Sequence, residues 1–475
     1  MNNQHIPTYE ELLRIIAEQR EIIASLTAKV EFLENRVKEL EEQLNKNSQN
    51  SSKPPSTDGY EKPAPKSQRK KSGKKPGGQA GHKGHHMTLE KPDRTERIYP
   101  SHCANCPHRE SCDKLRVCDT CYTTDIIIRK ETVKYQMLEC NCNGIREAAK
   151  RPTGLNGTVS YGNNLKALIC VLSTQGMVAM KNLCKIIKGL TGIKPSEGTV
   201  ANMLESSAKQ CLPIVESYPR QFHKKLVVHN DETGLYVNGK LLWVHVICDK
   251  GMTYYYLSEK RGKEAMDEIG FLPDYHGIVV HDFMSSYFSF TNVKHAMCGA
   301  HLLRELTGIY ENHPEQAWAK EMYDLLLSMC RAADFYNQNP DVESCGHYMG
   351  CLKASYDEIV GKAVLQNPPP EKIPGKRGRP GRGRIRALID RFKDFREEIL
   401  RFADNALVPF TNNQAERDLR MVKMKNKVIG CFRSMEGARN FLAIKSFTST
   451  AAKRGVTAFQ AIFDLLCGNT ACATE

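Results

Sequence analysis

Leu226-Val227-Val228-His229-Asn230-Asp231 and Gly277-Ile278-Val279-Val280-His281-Asp282 share one plan, an apolar and largely β-branched run that closes on an aspartate. Such runs predict buried strands, and each places its aspartate, Asp231 or Asp282, at a strand tip. An ionised carboxylate there is costly unless a counter-charge meets it. Further apolar runs at Leu241–Ile247 and Thr253–Leu257, with the turn Asn238-Gly239, make Leu226–Val228 the first of three consecutive antiparallel strands. A helix over roughly Lys263–Ile269, a strand at Ile278–Val280, a short strand at Val293–His295 and a helix from Met297 follow.

That order, three strands, helix, strand, helix, predicts an α/β fold with a ribonuclease-H-like core. In that arrangement one carboxylate lies on the first strand and a second follows the fourth, the places of Asp231 and Asp282. A third acid, Glu416, lies in Phe410-Thr411-Asn412-Asn413-Gln414-Ala415-Glu416-Arg417-Asp418-Leu419-Arg420, which reads as a polar cap opening a basic helix. Hard divalent cations take oxygen ligands, and two-metal phosphoryl transfer needs carboxylates that converge on both ions. Asp231, Asp282 and Glu416 are therefore candidate catalytic ligands for magnesium or manganese. Glu232 and Asp418 compete, but Glu232 points to the opposite strand face from Asp231, and Asp418 projects about 200° around the helix from Glu416. His229 shares the strand face of Asp231. Cys298 and His301, three apart on a helix, are open to three roles: a second metal site, phosphate positioning through His301 with Arg304, or packing.

The chain has 475 residues, 40% of them hydrophobic, enough for about three domains and at least one sizeable core. Its formal charge of +14 favours a polyanionic partner, with double-stranded DNA the leading candidate. No apolar stretch approaches the roughly 20 residues that span a bilayer, and the polar N-terminus lacks signal-peptide character, so the expected location is cytoplasmic, at the nucleoid.

Ile16, Ile23, Val30, Val37 and Leu44 occupy one heptad position, and Gln19, Leu26, Leu33 and Leu40 the other. A 3.5-residue apolar repeat with β-branched residues at a and leucine at d predicts a parallel two-stranded coil over residues 8–46, hence a homodimer; the alternative is a helix packed on its own protein. A flexible basic linker is expected over 47–95, where Arg69, Lys70, Lys71, Lys74 and Lys75 would track phosphates. Residues 96–150 crowd seven cysteines among hydrophilic neighbours, predicting a structural zinc module. Its candidate ligands are Cys103, Cys106, Cys118, Cys121, Cys140 and Cys142, with Cys112, His102 and His108 also at hand. Residues 151–222 read as helical, with a lysine-rich face that either contacts DNA or is simply solvated. The core is expected in two parts, 223–310 and 406–475, around a helical insertion over 311–405. That insertion contains Lys376-Arg377-Gly378-Arg379-Pro380, whose Arg377 and Arg379 suit general phosphate contact better than minor-groove reading. Arg417, Arg420 and Lys423 add a basic face beside Glu416.

Several motifs in one order resemble the insertion-sequence-66 family of bacterial transposases. They are Asn50-Ser51-Ser52-Lys53-Pro54-Pro55-Ser56, Gly77-Gly78-Gln79-Ala80-Gly81-His82-Lys83-Gly84, His229-Asn230-Asp231-Glu232-Thr233-Gly234, Cys298-Gly299-Ala300-His301-Leu302-Leu303-Arg304 and Asn412-Asn413-Gln414-Ala415-Glu416-Arg417. The resemblance implies a DDE transposase with Asp231, Asp282 and Glu416 as its catalytic acids, acting on element ends and target DNA, with room for accessory transposition proteins. Two rival readings are a zinc-containing dimeric DNA-binding regulator and a ribonuclease-H-like nuclease without strand transfer. The regulator leaves both aspartates and the Asn-Asn-Gln-Ala-Glu-Arg run unexplained.

Overall fold

Helix α1 (Tyr9–Leu44) starts at a reciprocal capping box, in which the Thr8 hydroxyl accepts the Glu11 N–H and the Glu11 carboxylate accepts the Thr8 N–H. Its heptad residues Ile16, Ile23, Leu26, Val30, Leu33, Val37 and Leu40 are all exposed, so no other described part of the chain covers the stripe. The computed structural model describes residues 8–47, 50–51, 81, 91–103, 105–142, 145–152, 155, 157–339, 345–370 and 382–469. Most of the basic linker, including Arg69, Lys70, Lys71, Lys74 and Lys75, lies outside the described residues, as do Arg377 and Arg379. The start of the linker differs from the flexible chain expected. Asn50 and Ser51 are buried, and the Arg384 guanidinium donates to the Asn50 carbonyl at 2.6 Å. That carbonyl packs against Gly308, which has no Cβ to hold it off.

The cysteine-rich segment contributes a two-stranded antiparallel hairpin, β1 (Glu139–Cys142) and β2 (Ile145–Ala148), with Cys140 and Cys142 two apart on β1. Four helices follow: α2 (Asn163–Thr174), α3 (Met180–Thr191), α4 (Glu197–Val215) and α5 (Tyr218–Phe222). Ser196 caps α4 by accepting the Thr199 N–H, and Ile169, Leu183, Ile187, Val200 and Met203 pack the first three helices together.

The central sheet has the order β5-β4-β3-β6-β7. Strands β3 (Val227–Val237), β4 (Lys240–Cys248) and β5 (Thr253–Ser258) are antiparallel, while β6 (Ile278–His281) and β7 (Lys294–Met297) join in parallel. Helix α6 (Lys263–Ile269) connects the two halves. The first strand is far longer than Leu226–Val228, and Asp231 lies within it rather than at its tip. The cause is the turn at Asn238 and Gly239, whose φ values of 47° and 75° suit a tight hairpin and keep β4 paired along β3 to Val237.

Helix α7 (Gly299–Asn312) follows β7. The insertion then supplies α8 (Ala317–Gln338), α9 (Cys345–Gln366), α10 (Gly383–Asp394) and α11 (Arg396–Asp404), packed with α7, β6 and β7 through residues such as Leu306, Met322, Leu326, Leu388 and Leu400. Helix α12 (Asn413–Ile429) and α13 (Met435–Lys453) cover β3, β4 and β5, where Leu235, Val237, Val244 and Val246 meet Ala415, Leu419, Val422 and Leu442. Helix α14 (Ala458–Leu466) closes the fold near α2. The fold is thus mixed α/β around a mixed sheet. Among the described residues no helix is long and apolar enough to cross a membrane.

Two lysines sit where an apolar residue would be usual. Lys425 of α12 donates to the carbonyls of Ser173 and Val178 and lies 5.6 Å from the Phe441 ring; Lys445 of α13 donates to the Gln175 side chain. Burial lowers both pKa values to about 8. Between about pH 8 and about 10.5 the unfolded chain holds more protons at these sites than the folded one, so their contribution to stability rises with pH. Urea midpoints should therefore rise more steeply from pH 8 to 10 in the wild type than in a Lys425→Met, Lys445→Met double variant. Parallel pH profiles would show that neither lysine titrates in that range.

Candidate active site

Strand β3 is paired with β4 along most of its length, but with β6 only at Val227, Val228 and His229, which face Ile278, Val279 and Val280. Two residues further along the same register, Asp231 stands opposite Asp282, the residue that follows β6. Neighbouring strands run about 4.8 Å apart, so the register alone brings these two backbones together. Side-chain alternation then sets the direction. Asp231 has the parity of Leu235 and Val237, which pack against α12, whereas Glu232 has the parity of Val228 on the other face.

The Asp231 carboxylate is half-buried and accepts the Glu232 N–H at 2.9 Å. Burial, then the Glu232 and Asp282 charges, push its pKa well above the carboxylate range, against the weaker pull of Lys423. Asp282 accepts the Met284 N–H at 2.9 Å, which turns the chain after β6. Behind it His281 is buried. It hydrogen-bonds His295 between Nε2 and Nδ1 at 2.9 Å and stacks on Tyr287, and burial lowers its pKa to about 3. The imidazole is therefore neutral and braces the Asp282 turn.

Glu416 reaches the site from the first turn of α12. Its Oε1 lies 3.9 Å from His301 Nδ1 and its Oε2 3.9 Å from Arg304 Nη2. Burial and Arg304 lower the His301 pKa, while the charges of Glu416 and Asp282 both oppose the shift, which puts His301 within electrostatic reach of two of the three acids. Cys298 Sγ, a His301 nitrogen and a Glu416 oxygen lie within 4.8 Å of one another. Asn230 Oδ1, His301 Nδ1 and Glu416 Oε1 are buried without a hydrogen-bond partner among the described residues. Orphaned polar atoms cost roughly 1–3 kcal/mol each, so their gathering beside Asp231, whose pKa is raised, fits a site that receives cations.

One residue that organises the site was not legible as such. Asn412 does not cap α12 with its side chain; it is buried and turned inward. Its Nδ2 donates to the Asn230 carbonyl at 2.7 Å, its Oδ1 meets His229 Nδ1 at 2.8 Å, and its N–H donates to Cys298 Sγ at 3.1 Å. The adjacent Phe410 carbonyl accepts the Gly299 N–H at 2.8 Å, where the ring of Phe410 leaves no room for a Cβ on Gly299. Burial pushes the Cys298 thiol up to about 11.

The competing acids are engaged elsewhere, as their parity and helix position predict. Glu232 is held by Arg261 and by the Tyr287 hydroxyl; burial, then Asp282, raises its pKa to about 7 against Arg261. Asp418 pairs with Lys453 at 2.7 Å and accepts from the Thr253 hydroxyl. Of the basic residues on α12, Arg417 and Arg420 are exposed and Lys423 is half-buried beside Asp231. The described cysteines of residues 96–150 are not gathered as a ligand group, and most lie on exposed irregular chain.

A chain with a mixed α/β core, paired strand aspartates and a basic helix carrying a third acid has the features of a nucleic-acid-processing enzyme. The family model described as "Transposase IS66 family" matches residues 158–440, more than half of the chain, and the chain therefore belongs to the IS66 family of transposases. A second model, "Family of unknown function (DUF6444)", matches residues 4–88. No curated protein matches. The family gives the protein a DNA-directed activity in transposition.

Replacing Asn412 with alanine strands the Asn230 carbonyl and His229 Nδ1 together. The expected loss is roughly 2–4 kcal/mol of stability, read from urea unfolding, together with most DNA-cleavage activity. An Asn412→Ala protein of wild-type stability and activity would show that this junction does not organise the site.

Proposed function

We propose that the protein is a DDE transposase that cleaves element ends and joins them to target DNA, with Asp231, Asp282 and Glu416 as its catalytic acids. The observation that carries this reading is the β3–β6 register, which sets Asp231 beside Asp282 on the face covered by the helix of Glu416. The strand order, three antiparallel strands, a helix and then parallel strands, supports a ribonuclease-H-like core.

The three carboxylates would hold magnesium or manganese; bound there, such a cation polarises a phosphate oxygen and lowers the pKa of bound water. The remaining work falls to the chain itself. Arg417, Arg420 and Lys423 bind phosphates along α12, and Arg304 stands beside Glu416 to meet a phosphate oxygen. His301, kept neutral by burial and Arg304, can hydrogen-bond a phosphate without adding a fixed charge. The same site serves hydrolysis and joining, because the attacking group is water first and the freed 3′-hydroxyl later, and no bond to the protein forms.

The other parts of the chain have supporting roles in this proposal. The exposed stripe of α1 pairs two protomers, so that two element ends are processed together, and accessory transposition proteins join that assembly. The basic linker with Arg69, Lys70, Lys71, Lys74 and Lys75, and the Arg377 and Arg379 segment, add phosphate contacts. The cysteine-rich segment over 96–150 holds structural zinc through a subset of Cys103, Cys106, Cys118, Cys121, Cys140 and Cys142. The protein acts in the cytoplasm at the nucleoid.

Single changes of Asp231, Asp282 or Glu416 to alanine should abolish magnesium-dependent cleavage and joining of an end-containing duplex while end binding persists in gel shifts. Retained joining in any one of them rejects that residue's assignment, and cleavage without joined products in the wild type selects a nuclease instead. For α1, Leu26→Glu with Leu33→Glu should convert the dimer to a monomer in sedimentation velocity, each lost apolar contact removing roughly 1.5–3 kcal/mol. A dimer that survives both changes is held by another surface.

A further inference from the structure

Cys298, His301 and Glu416 form a cluster whose donor atoms differ in kind from those of the aspartate pair. Sulfur, imidazole nitrogen and carboxylate oxygen come within 4.8 Å of one another, and they derive from the N-cap of α7, its first turn and the first turn of α12. Two of the atoms, His301 Nδ1 and Glu416 Oε1, are buried without a hydrogen-bond partner among the described residues and stand 3.9 Å apart. That separation is too long for a hydrogen bond but suits two atoms that share one cation. The third, Cys298 Sγ, is fully buried and accepts the Asn412 N–H, a bond that stabilises negative charge on sulfur.

Hard cations favour oxygen, whereas a thiolate with an imidazole selects borderline-soft ions. We propose that Cys298, His301 and Glu416 bind a zinc-class divalent cation beside the two aspartates, joining α7 to α12. Binding forms the sulfur–cation bond and releases the thiol proton to solvent; no electron is transferred. The cation engages Glu416 through Oε1 and leaves Oε2 toward Arg304, which fixes the orientation of the carboxylate. The inference rests on the preceding reading only where it gives Glu416 a catalytic part; the cation site itself is defined by the three donors.

Cadmium titrated into the metal-free full-length protein, followed by thiolate-to-metal charge-transfer absorption, tests the site by difference, since the cysteine-rich segment contributes equally in all variants. Wild type should bind one more equivalent than Cys298→Ser, and His301→Gln should weaken that same equivalent by roughly tenfold or more. Equal stoichiometry and affinity in wild type and both variants overturns the proposal. Asp231→Ala separates this site from the catalytic reading. It should retain the additional equivalent whether or not cleavage is lost, and its loss there would place the cation on the aspartates and overturn the assignment to Cys298.

Discussion

The geometry of the site depends on the buried amide of Asn412. Three chain segments far apart in sequence, β3, the start of α7 and the start of α12, meet where this amide bonds Asn230 and His229 and the Asn412 backbone N–H bonds Cys298. A side-chain amide offers two donors and an acceptor group in a fixed plane, so satisfying Asn412 dictates how the segments lie relative to one another. In a dry environment each bond is strong and each lost partner costly, which makes the junction discriminating as well as stabilising. The side chains that this junction orients include His229, which shares a strand face with Asp231, and Glu416, one turn beyond Asn412.

Electrostatics then works against the fold. Burial and the charges of Glu232 and Asp282 raise the cost of ionising Asp231, burial and Asp282 raise that of Glu232, and the chain offsets this unevenly. Glu232 has Arg261 and the Tyr287 hydroxyl as partners, which oppose the rise of its pKa. Asp231 has one backbone N–H and the Lys423 charge, and no paired guanidinium among the described residues. The difference separates a structural acid from one kept available. The brace behind Asp282 follows the same logic: His281 and His295 satisfy each other as neutral rings and bring no positive charge that would neutralise the aspartate.

Much of this was legible in the sequence because it depends on local pattern. The helix that carries the α1 heptads, the Asn238-Gly239 turn and helix α6 rest on short-range signals, and all appear where expected. Asp282 was read correctly as following a strand. Asp231 was misplaced at a strand tip, because the polar residues after Val228 masked a strand held by β4 rather than by its own apolar content. Asn412 was read as a helix cap since its surroundings have cap composition; only the tertiary approach of Asn230 and His229 shows where the amide goes. No local pattern announces that Lys425 and Lys445 are buried, or that the carbonyls of Ser173 and Val178 and the side chain of Gln175 receive them.

Helix α12 unites these features through its periodicity. Glu416, Arg420, Lys423 and Lys427 follow at four, three and four residues, so one stripe changes sign within a turn of the candidate site. The acid lies in the first turn, where the helix dipole favours negative charge, and Lys427 in the last turn, where it favours positive. The arrangement therefore costs the helix little while serving two opposite demands: an anionic end for cations and a cationic flank for phosphates. Lys425 lies off this stripe and anchors the helix to the carbonyls of Ser173 and Val178. Because that anchor belongs to the α2–α3 connection, a shift of the N-terminal helices would be transmitted to the helix that carries Glu416, and the acid's position depends on both ends of the fold.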